Sequence, residues 1–261
     1  MYIKFHIHTF MVNILCVHWG NKYNGTYVNR LYRMVSKNLT LPFNFYCYSN
    51  NNFEYNKNIK IIPITSNDLE IYWNKLAMFQ KDFVPPGPCL FFDLDVVIQK
   101  NIDHIFNYLS SNLTMIKAHW KGDVITYGES KKHKERWDMY VNSSMLLWES
   151  NKCTNIWEHF QKDPDYFIVK YKGIDRFIFH ENFKINHFPK YTVYSRLAGA
   201  EKYPEIIRES LGKWKEVHLD DPGFYGYQPR LFVYHIEDIP VCIFNGPHYE
   251  IFYEGMEHYW S

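Results

Sequence analysis

Two aspartates interrupt the most apolar stretch of this 261-residue chain, which reads CLFFDLDVVI at positions 89–98. Side chains two positions apart on a β-strand point the same way, so one continuous strand would project Asp93 and Asp95 together. Two such carboxylates are costly in an apolar setting unless a cation or a proton compensates their charge. A hard divalent ion such as Mn²⁺ or Mg²⁺ does this, and phosphate oxygens complete its coordination shell. The alternative is a strand that ends early and leaves both carboxylates in solvent, against which the apolar run Val96–Ile98 argues.

The composition is that of a globular protein. Hydrophobic residues make up 46% of the chain and aromatic residues 19%, which excludes a disordered or fibrous protein. The formal net charge of +1 gives no general attraction to nucleic acid or to a membrane surface. Five cysteines without short paired spacing favour buried thiols over disulfides or a zinc site, which indicates a reducing, cytoplasmic compartment.

The N-terminal apolar run is too short and too interrupted by polar residues to span a bilayer, so no membrane span is expected. Met11 is a second candidate start, which would make residues 1–10 an N-terminal extension.

Short apolar runs alternate with segments of helical spacing, and this alternation predicts an α/β fold with a mostly parallel central sheet flanked by helices. We expect a single domain over residues 1–261, in which the last third forms irregular strands and loops that close over the sheet. The predicted strands are 12–17, 43–48, 59–64, 89–98, 113–118 and 140–148, and the predicted helices are 26–37, 66–81, 154–161 and 174–182.

Four further blocks occur in order around the paired aspartates: WGNKYNGTYVNRLYRMVSKNLTLPFNFYCYSN (19–50), WNKLAMF (73–79), YVNSSMLLWES (140–150) and GIDRFI (173–178). Together with FFDLDVV they resemble a bacterial, phage and giant-virus branch of the GT-A nucleotide-sugar glycosyltransferases, which carry an Asp-x-Asp motif. The resemblance runs from Cys16 to Asn245. It implies a GT-A fold whose C-terminal region closes the active site, and, for a viral protein, a location in the host cytoplasm.

The resemblance also implies the activity: metal-dependent transfer of a hexosyl or pentosyl group from a nucleotide-diphosphate sugar, in particular a UDP-sugar, to a hydroxyl acceptor. In such enzymes the second aspartate, here Asp95, ligates Mn²⁺ or Mg²⁺ directly, while the first, Asp93, contacts ribose or a metal-bound water.

A donor-binding group follows the first predicted strand, at the carboxyl edge where open α/β sheets bind ligands. Gly20 would let the backbone approach a ligand, and Lys22 and Tyr23 would hold a nucleotide by charge and ring stacking. An ordinary strand-to-helix turn explains each of these residues equally well. The residues assigned to the donor are Val17, Trp19, Gly20, Lys22, Tyr23, Trp73, Lys75, Asp93 and Leu94.

The residues assigned to catalysis and sugar positioning are Lys75, Asn142 and Asp175. Lys75 matches a base near the donor diphosphate, although a lone helical lysine is ordinarily a solvated surface charge. Asn142, with Ser143 and Ser144, interrupts an apolar strand and could bind sugar hydroxyls or neighbouring backbone. Asp175 matches the acidic position that handles the transferred sugar, where the family more often reads Gly-Asp-Gln; capping of the next helix is the alternative.

The C-terminal block departs most from the family, which commonly reads Phe-His-Gly-x-Pro-Lys. This chain reads FNGPHY at 244–249, so Asn245 or His248 is the candidate for a further metal ligand.

The acceptor stays open between a glycan, a protein side chain and a hydroxylated base of viral DNA. The basic run ESKKHKERW at 129–137 is either a solvated loop or a contact for an anionic acceptor. Two other classes stay open as well: a nucleotide-sugar-binding protein without turnover, and a nucleotidyltransferase, which would release pyrophosphate.

Overall fold

The computed structural model describes residues 11–64, 69, 71–118, 139–196, 214–218, 230–244 and 255–261. Its strands are β1 (Val12–His18), β2 (Phe43–Ser49), β3 (Ile59–Pro63), β4 (Pro88–Phe92), β5 (Val96–Ile98), β6 (Leu113–Lys117), β7 (Val141–Glu149), β8 (Ile185–His187), β9 (Val193–Ser195), β10 (Trp214–His218), β11 (Arg230–Tyr234) and β12 (Val241–Ile243). Its α-helices are α1 (Gly25–Asn38), α2 (Thr154–Phe160), α3 (Pro164–Tyr171) and α4 (Ile174–His180), and 3₁₀ helices cover Ile71–Phe79, Asp103–Tyr108 and Glu257–Tyr259.

The central sheet has seven strands in the order β3-β2-β1-β4-β7-β6-β8. β1, β2, β3 and β4 are parallel, β7 runs antiparallel to both β4 and β6, and β8 is parallel to β6. The predicted mostly parallel α/β sheet with flanking helices is therefore confirmed. The single reversed strand matters for the site, because the start of β7 lies at the same edge as the carboxyl ends of β1 and β4.

The predicted continuous strand over 89–98 is wrong. β4 ends at Phe92, the chain turns at Leu94 and Asp95, and β5 joins β12 and β9 in a second, three-stranded sheet. The apolar run continues past the aspartates because this second sheet is also buried: Val96–Ile98 are at most 1% exposed. The early strand end does not leave the carboxylates in open solvent, since Asp93 and Asp95 are both partly buried.

The helix preceding β2 forms as its sequence pattern predicts. Its apolar positions Tyr27, Leu31 and Val35 are buried against the sheet. The Asn24 side chain accepts a hydrogen bond from the backbone N–H of Thr26, which satisfies one of the free donors of the first turn.

The helix predictions need correction in three respects. The predicted helix 66–81 is a 3₁₀ helix over Ile71–Phe79, and residues 65–68 lie outside the described part. The sequence spacing predicts that Leu69, Tyr72, Trp73, Leu76 and Phe79 share one side of this helix, but Trp73 is 3% exposed whereas Tyr72 is 36% exposed. The sequence reading also missed α3, whose start signals are an Asp163 cap and Pro164 in the first turn.

The core lies on both faces of the sheet. α1, β5 and β12 cover one face, while the 3₁₀ helix Ile71–Phe79 and helices α2, α3 and α4 contribute to the cluster on the other. All five cysteines are buried free thiols, as predicted. No helix in the described ranges is long and apolar enough to cross a membrane.

We expect Gly87→Ala to destabilise the protein by about 1–3 kcal/mol. Gly87 has a φ of +143°, and an added Cβ would lie 2.9 Å from the carbonyl oxygen of Met11. The site cannot relax easily, because the Gly87 N–H and carbonyl both bond to Ser150 at 3.0 Å. Urea denaturation measures the change. Gly173→Ala is the matched control: its backbone is extended and its Cβ would meet open space, so equal losses in both variants would contradict the explanation.

Glu181 joins α2 and α3 at the end of α4, accepting hydrogen bonds from His159, Lys170 and Tyr171. Burial acts to raise the pKa of Glu181, but these hydrogen bonds outweigh it and hold the pKa below 4.5. A depressed carboxyl pKa stabilises the fold above the unfolded-state pKa, and this contribution is lost as the pH falls through the folded-state pKa.

Glu181→Gln should therefore cost about 2 kcal/mol at neutral pH, and its difference from the wild type should shrink in acid below about pH 4. Urea denaturation at several pH values measures this. Glu158→Gln, an exposed change on α2, is the control. A Glu181→Gln deficit that persists unchanged in acid would show that the stabilisation does not come from the charged carboxylate.

Candidate functional site

A cleft of about 920 Å³ opens at the edge of the sheet where β1 and β4 end and β7 begins. Four segments line it: the β1–α1 loop, the 3₁₀ helix Ile71–Phe79, the Asp93–Asp95 turn with the start of β7, and the loop from α3 into α4. Most of the residues assigned from the sequence meet here, although they are far apart in the chain.

The β1–α1 loop forms one wall. Val17, Trp19, Lys22 and Tyr23 line the cleft, and the Lys22 ammonium lies 4.8 Å from the centre of the Tyr23 ring. Gly20 is not among the lining residues; it adopts a φ of +66°, a left-handed conformation that glycine takes without strain, and so turns the loop. This wall therefore combines the aromatic surfaces of Trp19 and Tyr23 with the positive charge of Lys22.

The floor of the cleft holds the two aspartates. Asp93 is paired with Lys75, whose Nζ lies 2.6 Å from Oδ1 and 2.8 Å from Oδ2. Asp95 Oδ2 accepts a hydrogen bond from the Tyr23 hydroxyl at 3.1 Å. Lys75 is 8% exposed, so it is a partner of the aspartate and not a solvated surface charge. Leu94, between the two, also lines the cleft.

The environment of Asp95 disfavours its negative charge. Burial raises the pKa of Asp95 to about 6, and the neighbouring Asp93 carboxylate adds to the rise. Lys22, Lys75 and the Tyr23 hydrogen bond oppose it without restoring the usual value. A carboxylate in this situation gains from a nearby cation.

The donor set fits a hard divalent cation bound together with phosphate. Asp95 Oδ1 accepts no hydrogen bond from the described residues, which leaves one carboxylate oxygen available as a ligand. Within the described ranges, no three His, Cys, Asp or Glu side chains come together, so an ion here would depend on substrate oxygens and water for most of its shell. Asn245 and His248, the two further candidate ligands, lie outside the described residues.

The start of β7 supplies polar groups beside the aspartates. The pairing of β7 with β6 shifts between Met115 and Ile116, so residues 143–145 have no paired residue in β6, although Met145 pairs with Phe92 of β4. Ser143 and Ser144 line the cleft together with Asn142, and the Ser144 carbonyl accepts from the Asp93 N–H at 2.9 Å. The Asn142 Oδ1 accepts from the Ser144 N–H at 3.0 Å, which fixes the orientation of its amide.

The opposite wall carries Asp175 and two cations. Asp175 lies in the first turn of α4, but Gly173 is at the cap position and no side chain caps the helix, so the capping alternative is wrong. The Oδ1 of Asp175 is buried and has no hydrogen-bond partner in the described structure, which suits it to accept a ligand hydroxyl. Lys172 and Arg176 line the same wall.

Trp73 is not brought to the cleft. Its ring is 3% exposed and stacks on Phe160 with the ring centres 5.3 Å apart. Neighbouring helical side chains point in different directions, so the placement of Lys75 at the site turns Trp73 into the core beneath it.

Several residues that line the cleft were not assigned to the site from the sequence: Asn21, Tyr72, Met139, Tyr171, Lys172 and Arg176. Tyr72 donates a hydrogen bond to the Lys172 carbonyl at 2.7 Å and joins two walls of the cleft. No periodicity or motif marks this contact, because it links positions that only the tertiary structure brings together. The basic run at 129–137 lies outside the described residues.

No known family model matches the chain, and no curated protein sequence matches it significantly. Solved structures do. An active-site mutant of LgtC is similar to it with a TM-score of 0.54 and 15% identity, covering 95% of this chain and 93% of that one. The galactosyltransferase LgtC in complex with donor and acceptor sugar analogues is similar with a TM-score of 0.51, again at 15% identity and over the same shares of the two chains. With its largely parallel sheet and its cleft at the edge where β1 and β4 end, the chain therefore has the GT-A-like fold of nucleotide-sugar glycosyltransferases.

Proposed function

We propose that this protein is a metal-dependent glycosyltransferase, with residues 1–261 acting as one domain in the cytoplasm. Its donor is a nucleotide-diphosphate sugar, in particular a UDP-sugar. The observation that carries the proposal is the juxtaposition, on one cleft floor, of the Lys75–Asp93 pair with an Asp95 whose Oδ1 is available to a cation. The similarity of fold to LgtC, a galactosyltransferase that was solved in complex with donor and acceptor sugar analogues, supports the proposal.

Asp93 and Asp95 would hold Mn²⁺ or Mg²⁺, which would supply positive charge to the diphosphate as the glycosidic C–O bond breaks. Trp19, Lys22 and Tyr23, on the β1–α1 wall, would bind the nucleotide. Lys75, which pairs with the Asp93 carboxylate, would add positive charge near the leaving group.

Asn142 and Asp175 would position the transferred sugar from the two sides of the cleft. The amide of Asn142 is oriented by its bond to the Ser144 N–H, and Asp175 offers a buried oxygen that has no partner within the described chain. The acceptor is a hydroxyl group of a glycan, a protein side chain or a modified DNA base.

One prediction from the proposed function concerns Asp95. With one sugar of a panel of UDP- and GDP-sugars, the protein and Mn²⁺ should release nucleoside diphosphate, and a chelator should abolish the release. Asp95→Asn should lower the rate at least about 100-fold, because charge stabilisation at the leaving group is lost. Asp238→Asn, a change of the same type at a side chain that is 92% exposed, should leave the rate unchanged.

The other outcomes of this panel would contradict the proposed glycosyltransferase activity. Metal-dependent UDP binding without turnover would show a nucleotide-sugar-binding protein. Pyrophosphate release in place of nucleoside diphosphate would show a nucleotidyltransferase. If no nucleotide sugar binds or turns over, the cleft is not a donor site.

Another prediction distinguishes a functional role of Asp175 from a structural one. Asp175→Asn should leave the unfolding free energy unchanged or raise it, since the buried Oδ1 makes no hydrogen bond within the described structure. The same change should lower nucleoside diphosphate release by about 100-fold, because a sugar-positioning oxygen is lost. Asp165→Asn, at the corresponding first turn of α3, is the matched control. A loss of stability without loss of turnover would assign Asp175 to the fold.

A further inference from the structure

His18, the last residue of β1, lies beneath the β1–α1 loop and is 2% exposed. Its Nε2 is 2.9 Å from the backbone carbonyl of Tyr23, and its Nδ1 is 2.7 Å from the hydroxyl of Tyr55. Since a carbonyl only accepts hydrogen bonds, Nε2 carries the proton and Nδ1 accepts from Tyr55. Burial lowers the pKa of His18, in agreement with a neutral ring that has one donor and one acceptor.

The donors and acceptors of the hydrogen bonds beyond Tyr55 can be assigned in the same way. The single hydroxyl proton of Tyr55 goes to His18 at 2.7 Å in preference to the Asn51 carbonyl at 3.5 Å. The Tyr55 oxygen therefore accepts from the Ser49 hydroxyl at 3.0 Å, and the Ser49 oxygen accepts from the Asn51 N–H at 3.0 Å. We call this ordered chain, from Asn51 through Ser49, Tyr55 and His18 to the Tyr23 carbonyl, the His18–Tyr55 network.

The same network holds the loop at its other end. The Asn51 amide lies 3.2 Å from the Gly20 carbonyl and 3.4 Å from the His18 carbonyl. The loop is thus tied down both where it leaves β1 and at Tyr23, where it approaches α1.

Tyr23 connects the network to the candidate metal ligand Asp95. Tyr23, whose backbone carbonyl His18 holds, donates its hydroxyl to Asp95 Oδ2 at 3.1 Å. None of His18, Ser49, Asn51 and Tyr55 is among the residues lining the cleft. They do not touch a bound ion themselves, and the hydrogen bonds described above lead from them to Asp95 through Tyr23.

We propose that His18 and Tyr55 are positioning residues for Asp95: the Tyr55 hydroxyl donates to Nδ1 and holds the His18 ring in place, the His18 Nε2–H holds the Tyr23 backbone, and the Tyr23 hydroxyl orients the carboxylate for the cation. This proposal rests on the proposed function for the role of Asp95 as a metal ligand. Groups that orient metal ligands typically contribute roughly 10- to 100-fold to metal affinity or activity.

The test is a double-mutant cycle on the full chain, in which Mn²⁺ affinity in the presence of UDP is measured by titration calorimetry. Tyr55→Phe, which removes only the hydroxyl, should weaken Mn²⁺ binding by about tenfold. In the Tyr23→Phe background the same substitution should have no further effect, because the path to Asp95 is already broken. A purely structural role for Tyr55 would not produce this dependence on Tyr23.

Tyr32→Phe is the matched control, because the Tyr32 hydroxyl accepts a solvent-exposed hydrogen bond from Asn58 at 2.9 Å and Tyr32 does not line the cleft. It should bind Mn²⁺ as the wild type does. Should Tyr55→Phe fail to fold, Ser49→Ala replaces it in the cycle, since it removes the hydrogen bond that orients the Tyr55 oxygen. Wild-type affinity in the substituted protein, or a loss that adds fully to that of Tyr23→Phe, would overturn the proposal.

Failure of the proposed function gives a different result. If the wild type binds neither Mn²⁺ nor UDP, the donor site is refuted, and ¹⁵N spectra of the metal-free protein decide on the network. An Nε2-protonated ring of His18 whose acceptor Nδ1 resonance shifts in Tyr55→Phe supports the network, with the His18 signals assigned from His18→Gln. An Nδ1-protonated ring, or an Nδ1 resonance that Tyr55→Phe leaves unchanged, overturns it.

Discussion

The ion pair between Lys75 and Asp93 is the interaction on which the arrangement of the cleft depends. Two carboxylates on one turn would repel each other at the edge of an apolar core, and one must be neutralised before the other can face a substrate. Lys75 neutralises Asp93 through both carboxylate oxygens. Asp95, which has no such cationic partner among the described residues, has a pKa that burial, with the Asp93 carboxylate, raises to about 6. The protein thus presents one compensated and one uncompensated carboxylate, an asymmetry suited to binding a cation.

The reversal of β7 brings the second half of the site into place. In a wholly parallel sheet the start of β7 would lie at the opposite edge from the carboxyl ends of β1 and β4. Because β7 is antiparallel to β4, its polar first residues meet the Asp93 turn, and the Ser144 carbonyl bonds directly to the Asp93 N–H. The pairing of β7 with β6 is irregular at the same place, and Ser143 and Ser144 line the cleft. Similar topology over most of the LgtC chain accompanies 15% identity, so the fold is retained where few residues are.

Much of the fold follows from hydrophobic periodicity, and α1 shows why. Its spacing and its Asn24 cap are local signals, and tertiary packing agrees with them. In the Asp93–Asp95 segment, hydrophobic periodicity does not predict the observed structure. An unbroken apolar run predicts one strand, yet the run passes from one buried sheet into another, and local sequence does not distinguish the two cases. Trp73 fails for a related reason: a motif places a segment near the site, but the helical phase decides which side chain of the segment reaches it.

By itself, the sequence determined the α/β class, the parallel half of the sheet, the buried thiols and the chemistry of paired aspartates beside a loop of aromatic and basic residues. These features depend on local periodicity, burial preference and charge, which each segment carries on its own. The tertiary structure alone decided that Lys75 pairs with Asp93, that Tyr23 contacts Asp95, and that His18 and Tyr55 lie behind Tyr23. Such contacts join residues from separate elements. Which residues meet follows from strand order and helical phase, and the direction of each hydrogen bond follows from the single proton of a neutral imidazole or phenol. The local sequence around each residue determines none of these.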